Sequence, residues 1–443
     1  MRRVSFPLRD EMLERFDLSG MKDCADEPVV YLKNGTFDFD EAVVNDYIDK
    51  MELTEEVKKQ YLSGVDVPKE KGARYAYGWQ KGYVAGYKIG YFLAHFEITV
   101  NLITHGVKRD QIKELMALSD ETFDRIRQFV EEIKQQRLQK LCLGTVQFGL
   151  DYGIANKKGK PSLEDSVQML NHAYDSGIRW FDTAQAYGNA EEILGEFIAR
   201  RNDLKELRVI SKLLPHAFDK GEKPVFEDVQ EAVHSSLKRL HLNSLEGFLF
   251  HTPEYIYRDD VIEQMIKVRE KGLVKNIGVS IYEVKHAVDA AKMDWVDYIQ
   301  IPHSVFDQRV ANSDFFDVAN KNGKTVFARS AFLQGLSLMD PEDVPEKLDY
   351  AKGYLKKLIQ LSENYGYSRL EISGLFTLQD DEIDFLVFGV DNLQQLKDDI
   401  ELNNGHSLPN DLVESLKKEF KAVKKSVVMP SLWKTKKPDF KIE

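Results

Sequence analysis

Cysteine is almost missing from this chain, and with it every mark of a disulfide scaffold. Cys24 and Cys142 lie far apart with no Cys-x-x-Cys pair, which excludes a disulfide framework or a cysteine-rich zinc site and fits a reducing, cytoplasmic setting. The ten histidines are scattered, so no ligand set has metal spacing. No run of about 18 uncharged apolar residues occurs, the minimum for a membrane span. The first residues, Met1 to Phe16, carry charges where a secretory signal has its apolar core. A cytoplasmic protein with no membrane partner is expected. Positive charge is also in deficit: 61 Lys and Arg against 73 Asp and Glu leave a net −12, which argues against broad electrostatic binding to nucleic acid or anionic lipid.

What is present is an ordinary globular composition, 43% hydrophobic and 30% charged over 443 residues, enough for two or three folding units. Four segments are expected: 1–70, of uncertain fold; 71–136, helical; 137–433, the main domain; and a tail at 434–443. Within the first, 27–35 reads as a strand entering the Asn34-Gly35 turn, 40–59 has helical spacing, and 64–68 is a loop. In the second, Gly78, Gly82, Gly86 and Gly90 recur every four residues beside Tyr75, Trp79, Tyr83, Tyr87 and Tyr91. That period puts a groove of small residues next to an aromatic ridge on one helix. Each helix-interior glycine costs about 1 kcal/mol relative to alanine, so four in register imply a surface that another backbone approaches closely. Packing within the domain and homo-oligomerisation through the 72–91 helix both satisfy that; Gln80, Lys81 and Lys88 oppose membrane insertion.

Residues 107–120 and 121–130 read as two short helices about a Leu118-Ser119-Asp120 turn, in the manner of a helix-turn-helix. With the glycine-periodic helix before it, this region looks like the C-terminal tails of some bacterial transposase-like nucleases. Its acids, Asp110, Glu114, Asp120, Glu121 and Asp124, balance its bases, so the phosphate-binding term is weak. A packing or oligomerisation module is the favoured reading over nucleic-acid binding.

After Arg137 short apolar runs alternate with amphipathic segments. Strands are expected at 140–143, 179–181, 207–211, 247–251, 276–279, 298–301, 325–328 and 385–388, with helices between them such as 163–176, 226–240, 260–271 and 350–365. Eight strands alternating with helices is the pattern of a (β/α)8 TIM barrel of the α/β class. A doubly wound open sheet is the competing fold, weakened because no Gly-x-Gly-x-x-Gly follows the first strand.

Reactive side chains of such a barrel belong at the C-terminal ends of the strands. Those ends carry, in order, Asp182 with Tyr187 in the loop beyond it, Lys212, and His251. Singly, each has a plain structural explanation: a helix cap, a loop aromatic, an exposed lysine, a strand-end histidine. Four polar or ionisable groups at one rim in succession are hard to explain as solvated surface. A free tyrosine titrates near pH 10 and is a poor acid at neutrality; a neighbouring ammonium such as Lys212 would lower that value, with Asp182 holding the ammonium in place.

The stretch from Phe181 to Asn189 (Phe-Asp-Thr-Ala-Gln-Ala-Tyr-Gly-Asn) resembles the aldo-keto reductase signature Asp-x-Ala-x-x-Tyr-Gly-Asn. The Leu143-Gly144-Thr145 turn, Ile210-Ser211-Lys212, Phe250-His251 and the Gly272–Ser280 run are similar to that family's further motifs, in the same order. The resemblance implies a nicotinamide cofactor, NADP(H) or NAD(H), across the barrel mouth, a small-molecule carbonyl substrate, and a catalytic tetrad of Asp182, Tyr187, Lys212 and His251. Position by position it also implies cofactor contacts from Gly144, Thr145, Asp182, Ser280, Gln300, Arg329, Ser330, Gly389, Asp391, Gln395 and Asp399. Three departures stand out. Ile281 follows Ser280 where an asparagine is usual. Arg329 stands where an aromatic normally stacks on the nicotinamide. Asp391 occupies a position that is commonly basic, so the family favours NADP(H) while the residue suits the free 2′-hydroxyl of NAD(H).

Phe148, Tyr152, Tyr257, Phe306 and Phe332 are candidates for an aromatic substrate pocket. The stretch 149–156 and the ending Met429-Pro-Ser-Leu-Trp433 look like a bacterial branch associated with cell-surface polysaccharide synthesis, which implies an oxidised sugar or nucleotide sugar as substrate. The competing function is a non-catalytic redox sensor whose barrel binds the cofactor and whose N-terminal helices signal to a partner.

Overall fold

The computed structural model describes residues 99–100, 102–103, 107–116, 118–219, 225–402 and 407–433. The expectations for 27–35, 40–59, 64–68, the 72–91 helix and the tail at 434–443 lie outside these residues. From Val100 onward the described residues belong to one compact unit.

Eight strands build it: β1 (Leu141–Gly144), β2 (Trp180–Asp182), β3 (Arg208–Lys212), β4 (Leu245–Phe250), β5 (Val274–Ser280), β6 (Tyr298–Pro302), β7 (Thr325–Arg329) and β8 (Phe385–Gly389). All pair in parallel with the next in sequence, and β8 pairs with β1, closing the barrel. The strands are short, mostly apolar and buried on both faces, as parallel strands under a helical shell must be. The expected strands fall on these within one residue at each end, except that β4 and β5 each begin two residues earlier. The helix Leu163–Asp175 starts where Ser162 accepts the Asp165 N–H, and Arg369–Leu378 starts with a reciprocal Ser368/Glu371 capping box.

Side-chain alternation inside the barrel decides where the chemistry sits. Cys142, Trp180, Ile210, Leu249, Tyr298, Phe327 and Val387 point inward as one apolar plug, with Trp180 against Phe385 at 4.3 Å and Phe327 stacked on Phe385 at 4.7 Å. A strand returns to the same face every second residue. Two residues beyond each plug member stand Gly144, Asp182, Lys212, His251, Gln300, Arg329 and Gly389. The plug therefore forms the floor of a polar mouth. In β5, Gly278 takes the inward position because a Cβ there would overlap the Tyr298 backbone, and Ser280 follows two residues later.

The pair of short helices expected before the barrel is present as Arg109–Met116 and Asp120–Gln139, with Ser119 capping the second. That second helix does not stop near residue 130 but runs for 20 residues, because Phe123, Ile126, Val130, Ile133 and Arg137 keep one buried stripe going. It passes residue 137 without a break and packs on the barrel: the Arg137 guanidinium donates to the Ser407 hydroxyl at 2.5 Å, and Leu138 covers Gly177.

Candidate active site

The site is anchored by Asp182 and Lys212, the last residues of β2 and β3. Both are buried, and Lys212 Nζ donates to Asp182 Oδ2 at 2.5 Å and to the Thr183 carbonyl at 2.9 Å. The other carboxylate oxygen of Asp182 accepts from Gln300 Nε2, so one acid ties three strands together at the centre of the mouth. Thr145, at the end of β1, donates both its N–H and its hydroxyl to the Asp182 carbonyl, at 2.9 and 3.1 Å.

Tyr187 reaches this pair from the loop after β2. Its ring lies 5.1 Å from Lys212 Nζ and meets His251 edge to face, with centroids 5.7 Å apart. Two glycines hold the loop in place: a Cβ on Gly149 would overlap the Tyr187 carbonyl, and Gly188, at φ +56, puts its own missing Cβ against the Gly149 carbonyl. The four residues expected at one rim are thus brought together.

Their electrostatics differ from the sequence expectation at one point. The Tyr187 phenol is held well above its usual value of 10 rather than below it. Burial is the main cause, the Asp182 carboxylate adds to it, and Arg329 opposes them. Lys212 does not prevail because its charge is already matched by Asp182 at contact distance. His251 is pushed well below 6.5, first by burial and then by the charges of Lys212 and Arg329, so its imidazole is neutral.

Arg329 closes the mouth on the β5 side. Its guanidinium donates to Ser280 Oγ at 3.2 Å, to the Ile281 carbonyl at 2.6 Å and weakly to Ser330 Oγ at 3.4 Å, and lies 4.5 Å from the Tyr282 ring. The arginine expected to stack on a nicotinamide is therefore engaged with Tyr282 and with the backbone beside Ile281. Gly389 faces the Gln147 amide, which a Cβ would strike. Asp391 and Gln395 follow it, with the Asp391 N–H donating to Gln395 Oε1 at 2.7 Å. Asp399 lies deeper on the helix Leu393–Glu401, and burial drives its carboxyl well up.

Of the aromatic pocket candidates, Phe148 and Phe306 are core, with Phe306 packed on Phe420. Phe332 leans on the same core, and Tyr257 is half exposed and bonded to Asp289 and Lys285. Tyr152 alone belongs to the mouth, joined there by Tyr282, which sequence reasoning missed. The Tyr152 phenol is pushed up to about 12, mainly by burial and then by the neighbouring Tyr187. Gln147 and Thr183 were also missed, and amides or hydroxyls beside a signature motif carry no pattern that would reveal them.

A nicotinamide cofactor fits this mouth on the evidence of its orphaned polar atoms. Gln300 Oε1, Thr183 Oγ1, Gln147 Oε1 and His251 Nδ1 are buried without hydrogen-bond partners, and such atoms are costly unless something supplies the missing bond. A carboxamide NH2 matches Gln300 Oε1, whose own NH2 is committed to Asp182. Among the described residues no group of three or more His, Cys, Asp or Glu could hold a metal ion, and no helix is long and apolar enough to cross a membrane.

Comparison with known proteins settles the class. The model of the Aldo/keto reductase family matches residues 140–419. The chain belongs to the aldo-keto reductase family. It is 22% identical over 303 residues to the uncharacterized oxidoreductase YqkF of Bacillus subtilis, covering 64% of this chain and 97% of that one. It is 33% identical over 129 residues to the methylglyoxal reductase DkgA of Salmonella typhimurium, a match that spans 44% of that protein and 29% of this chain. The holo aldo-keto reductase AKR11C1 of Bacillus halodurans shares the fold with a TM-score of 0.51 at 19% identity, over 66% of this chain and 95% of that one. The protein is thus an NAD(P)H-dependent oxidoreductase of this family, with the expected (β/α)8 barrel.

Proposed function

We propose that this aldo-keto reductase reduces the carbonyl of an aldehyde, ketone or oxidised sugar to an alcohol, with Tyr187 as general acid. The observation that carries the reading is the contact set at the mouth: a tyrosine beside a buried Lys212–Asp182 pair, with a neutral imidazole edge-on to it. When bound, the cofactor supplies the hydride that the carbonyl carbon accepts.

Tyr187 gives its phenolic proton to the carbonyl oxygen as the negative charge develops there. Burial keeps that proton on the phenol in the resting state, which is the form the reduction needs. Lys212, immobilised by Asp182 and the Thr183 carbonyl, acts when the proton leaves, because its ammonium stabilises the phenolate in a site of low dielectric. His251, kept neutral, offers a ring N–H to the developing oxyanion. The phenolate then regains a proton from solvent, and alcohol oxidation reverses these steps. Gln300 Oε1 and Ser280 would hold the carboxamide of the cofactor, and Asp391 would accept from a ribose 2′-hydroxyl while repelling a 2′-phosphate, which favours NAD(H).

An oxidised sugar suits the stretch 149–156 and the Met429–Trp433 ending through their likeness to the polysaccharide-associated branch. The test is cofactor oxidation at 340 nm with small aldehydes, methylglyoxal and oxidised sugars, comparing wild type with Tyr187→Phe. Loss of one general acid is expected to lower kcat by roughly 100-fold or more; unchanged turnover in the variant would remove the mechanism.

A further inference from the structure

We propose that Asn156, on the loop after β1, is a positioning residue for cofactor choice: it holds the Asp391 carboxylate in the orientation that reads the 2′ position of the adenosine ribose. The inference rests on the cofactor reading above and deepens it.

The barrel order places β8 between β7 and β1, so contact between the loops after β1 and β7 bridges the end of β8. Such contact is extensive. Gln334 Nε2 donates to the Tyr152 hydroxyl at 3.1 Å. Gly153, at φ +97, lies under the Gln334 carbonyl, and a Cβ on Gly335, at φ +86, would come within 2.5 Å of the Ala155 methyl. Ser330, Leu333 and Gln334 all have positive φ, at 67, 48 and 57°. Non-glycine residues there cost on the order of 1–3 kcal/mol each and persist only where the surroundings dictate them, typically at ligand clamps. In TIM barrels phosphate groups bind at the loops after strands 7 and 8, directly beneath this seam.

Asn156 links the seam to β8. Its Oδ1 accepts the backbone N–H groups of Lys158 and Gly159, both at 2.9 Å, which fixes which end of the amide is oxygen. Its Nδ2 is shared among the Tyr152 carbonyl at 3.2 Å, the Gly159 carbonyl at 3.2 Å and Asp391 Oδ1 at 3.3 Å. Asp391 is thus pinned at its backbone by Gln395 and at one carboxylate oxygen by Asn156. The Gln395 side chain also hydrogen-bonds the Asp391 carboxyl, and a carboxylate with about four acceptor sites keeps room for a hydroxyl. The lysines of the same loop are the natural competitor for a phosphate. Lys160 is turned to Asn189 at 2.8 Å and Lys157 toward Asp343 at 3.9 Å, so Lys158 is the one that could reverse the preference.

The experiment is a fluorescence titration of NADH and NADPH, and of ADP-ribose with and without a 2′-phosphate, against the full chain and the variants Asn156→Ala, Asn156→Ser, Asp391→Ala and Lys158→Ala. Asn156→Ser keeps a neutral acceptor for the turn and removes the amide donor without adding charge beside Asp391, so it stands in if the alanine variant folds poorly. Wild type is expected to prefer the ligands without the 2′-phosphate. Both Asn156 variants should lose roughly tenfold of that preference, the worth of one hydrogen bond to a charged group, while the double variant with Asp391→Ala should lose no more than Asp391→Ala alone. Equal weakening of both cofactors, or an unmoved ratio in a wild type that prefers NADH, overturns the role of Asn156 alone. A wild type that prefers NADPH, lost on Lys158→Ala, overturns it together with the reading of Asp391, and binding of neither cofactor removes the cofactor site itself.

Discussion

Gly149→Ala is the most incisive perturbation of this site, because it touches no reacting group. Built on the existing backbone, the new methyl lies 2.7 Å from the Tyr187 carbonyl carbon and 2.9 Å from the Ala190 nitrogen, and it overlaps the carbonyl oxygen outright. Ordinary contact for a Cβ begins near 3.4 Å. All three obstacles are backbone, so no side-chain rotation relieves them, and the Tyr187 loop must retreat by roughly 1 Å or more. Overpacking of this kind costs about 1–3 kcal/mol of stability, which a domain of this size tolerates. A shift of that size in a proton donor costs on the order of 100-fold in rate. The expected result is a folded protein, by circular dichroism and thermal melt, with kcat down about 100-fold and cofactor affinity nearly unchanged. Gly353→Ala is the control, since nothing lies within 4 Å of its missing Cβ in the helix Lys352–Tyr365; full activity and a slightly higher Tm are expected. Wild-type kcat in Gly149→Ala would refute the idea that the two glycines position Tyr187.

Lys212→Met leaves the Asp182 carboxylate buried without its cation, a loss of about 3–5 kcal/mol; adding Asp182→Asn should restore most of the Tm but none of the turnover, as chemical denaturation and kinetics will show. His251 supplies a pH signature. Its folded pKa is depressed well below 6.5, so the unfolded chain binds a proton that the folded chain refuses, and stability falls as pH drops below about 6.5. Urea titrations of His251→Gln should lack that part of the acid sensitivity, and an unchanged pH slope would contradict the assignment. Cys142, fully buried with its thiol driven well up by burial, should stay unlabelled by a thiol reagent in the native protein, read from the mass of its peptide, until denaturant is added.

The fold and the gathering of Asp182, Tyr187, Lys212 and His251 at one mouth were legible for the same reason. A strand buried on both faces has to be an apolar run, so Ile299 and Ile301 or Val326 and Ala328 announce themselves, and an acid or lysine closing such a run is conspicuous. The signature around Tyr187 supplied the rest. What could not be read depends on long-range contact. Phe148 and Tyr152 both follow β1 within a few residues, yet Phe148, in the short helix Val146–Gly149, is core and Tyr152 reaches the mouth. The end of the helix Asp120–Gln139 was misjudged because its exposed side is strongly charged, which masks the buried stripe until the barrel surface beneath it is known.

The Tyr187 acidity shows where residue-by-residue logic fails. A lysine beside a phenol lowers its pKa only if the lysine charge is not already spoken for, and here Asp182 and Lys212 are joined at 2.5 Å in a buried setting. The net field at the phenol is that of a pair, and the penalty of burying a phenolate exceeds it. Lys212 therefore contributes little to the resting ionisation; in the mechanism proposed above its contribution would come at proton transfer, when a phenolate forms beside it. Gln300 commits its amide N–H to Asp182 and leaves its own oxygen unmatched: what remains on the floor of the mouth is an acceptor, the half of a hydrogen bond that a carboxamide would complete under the proposed cofactor binding.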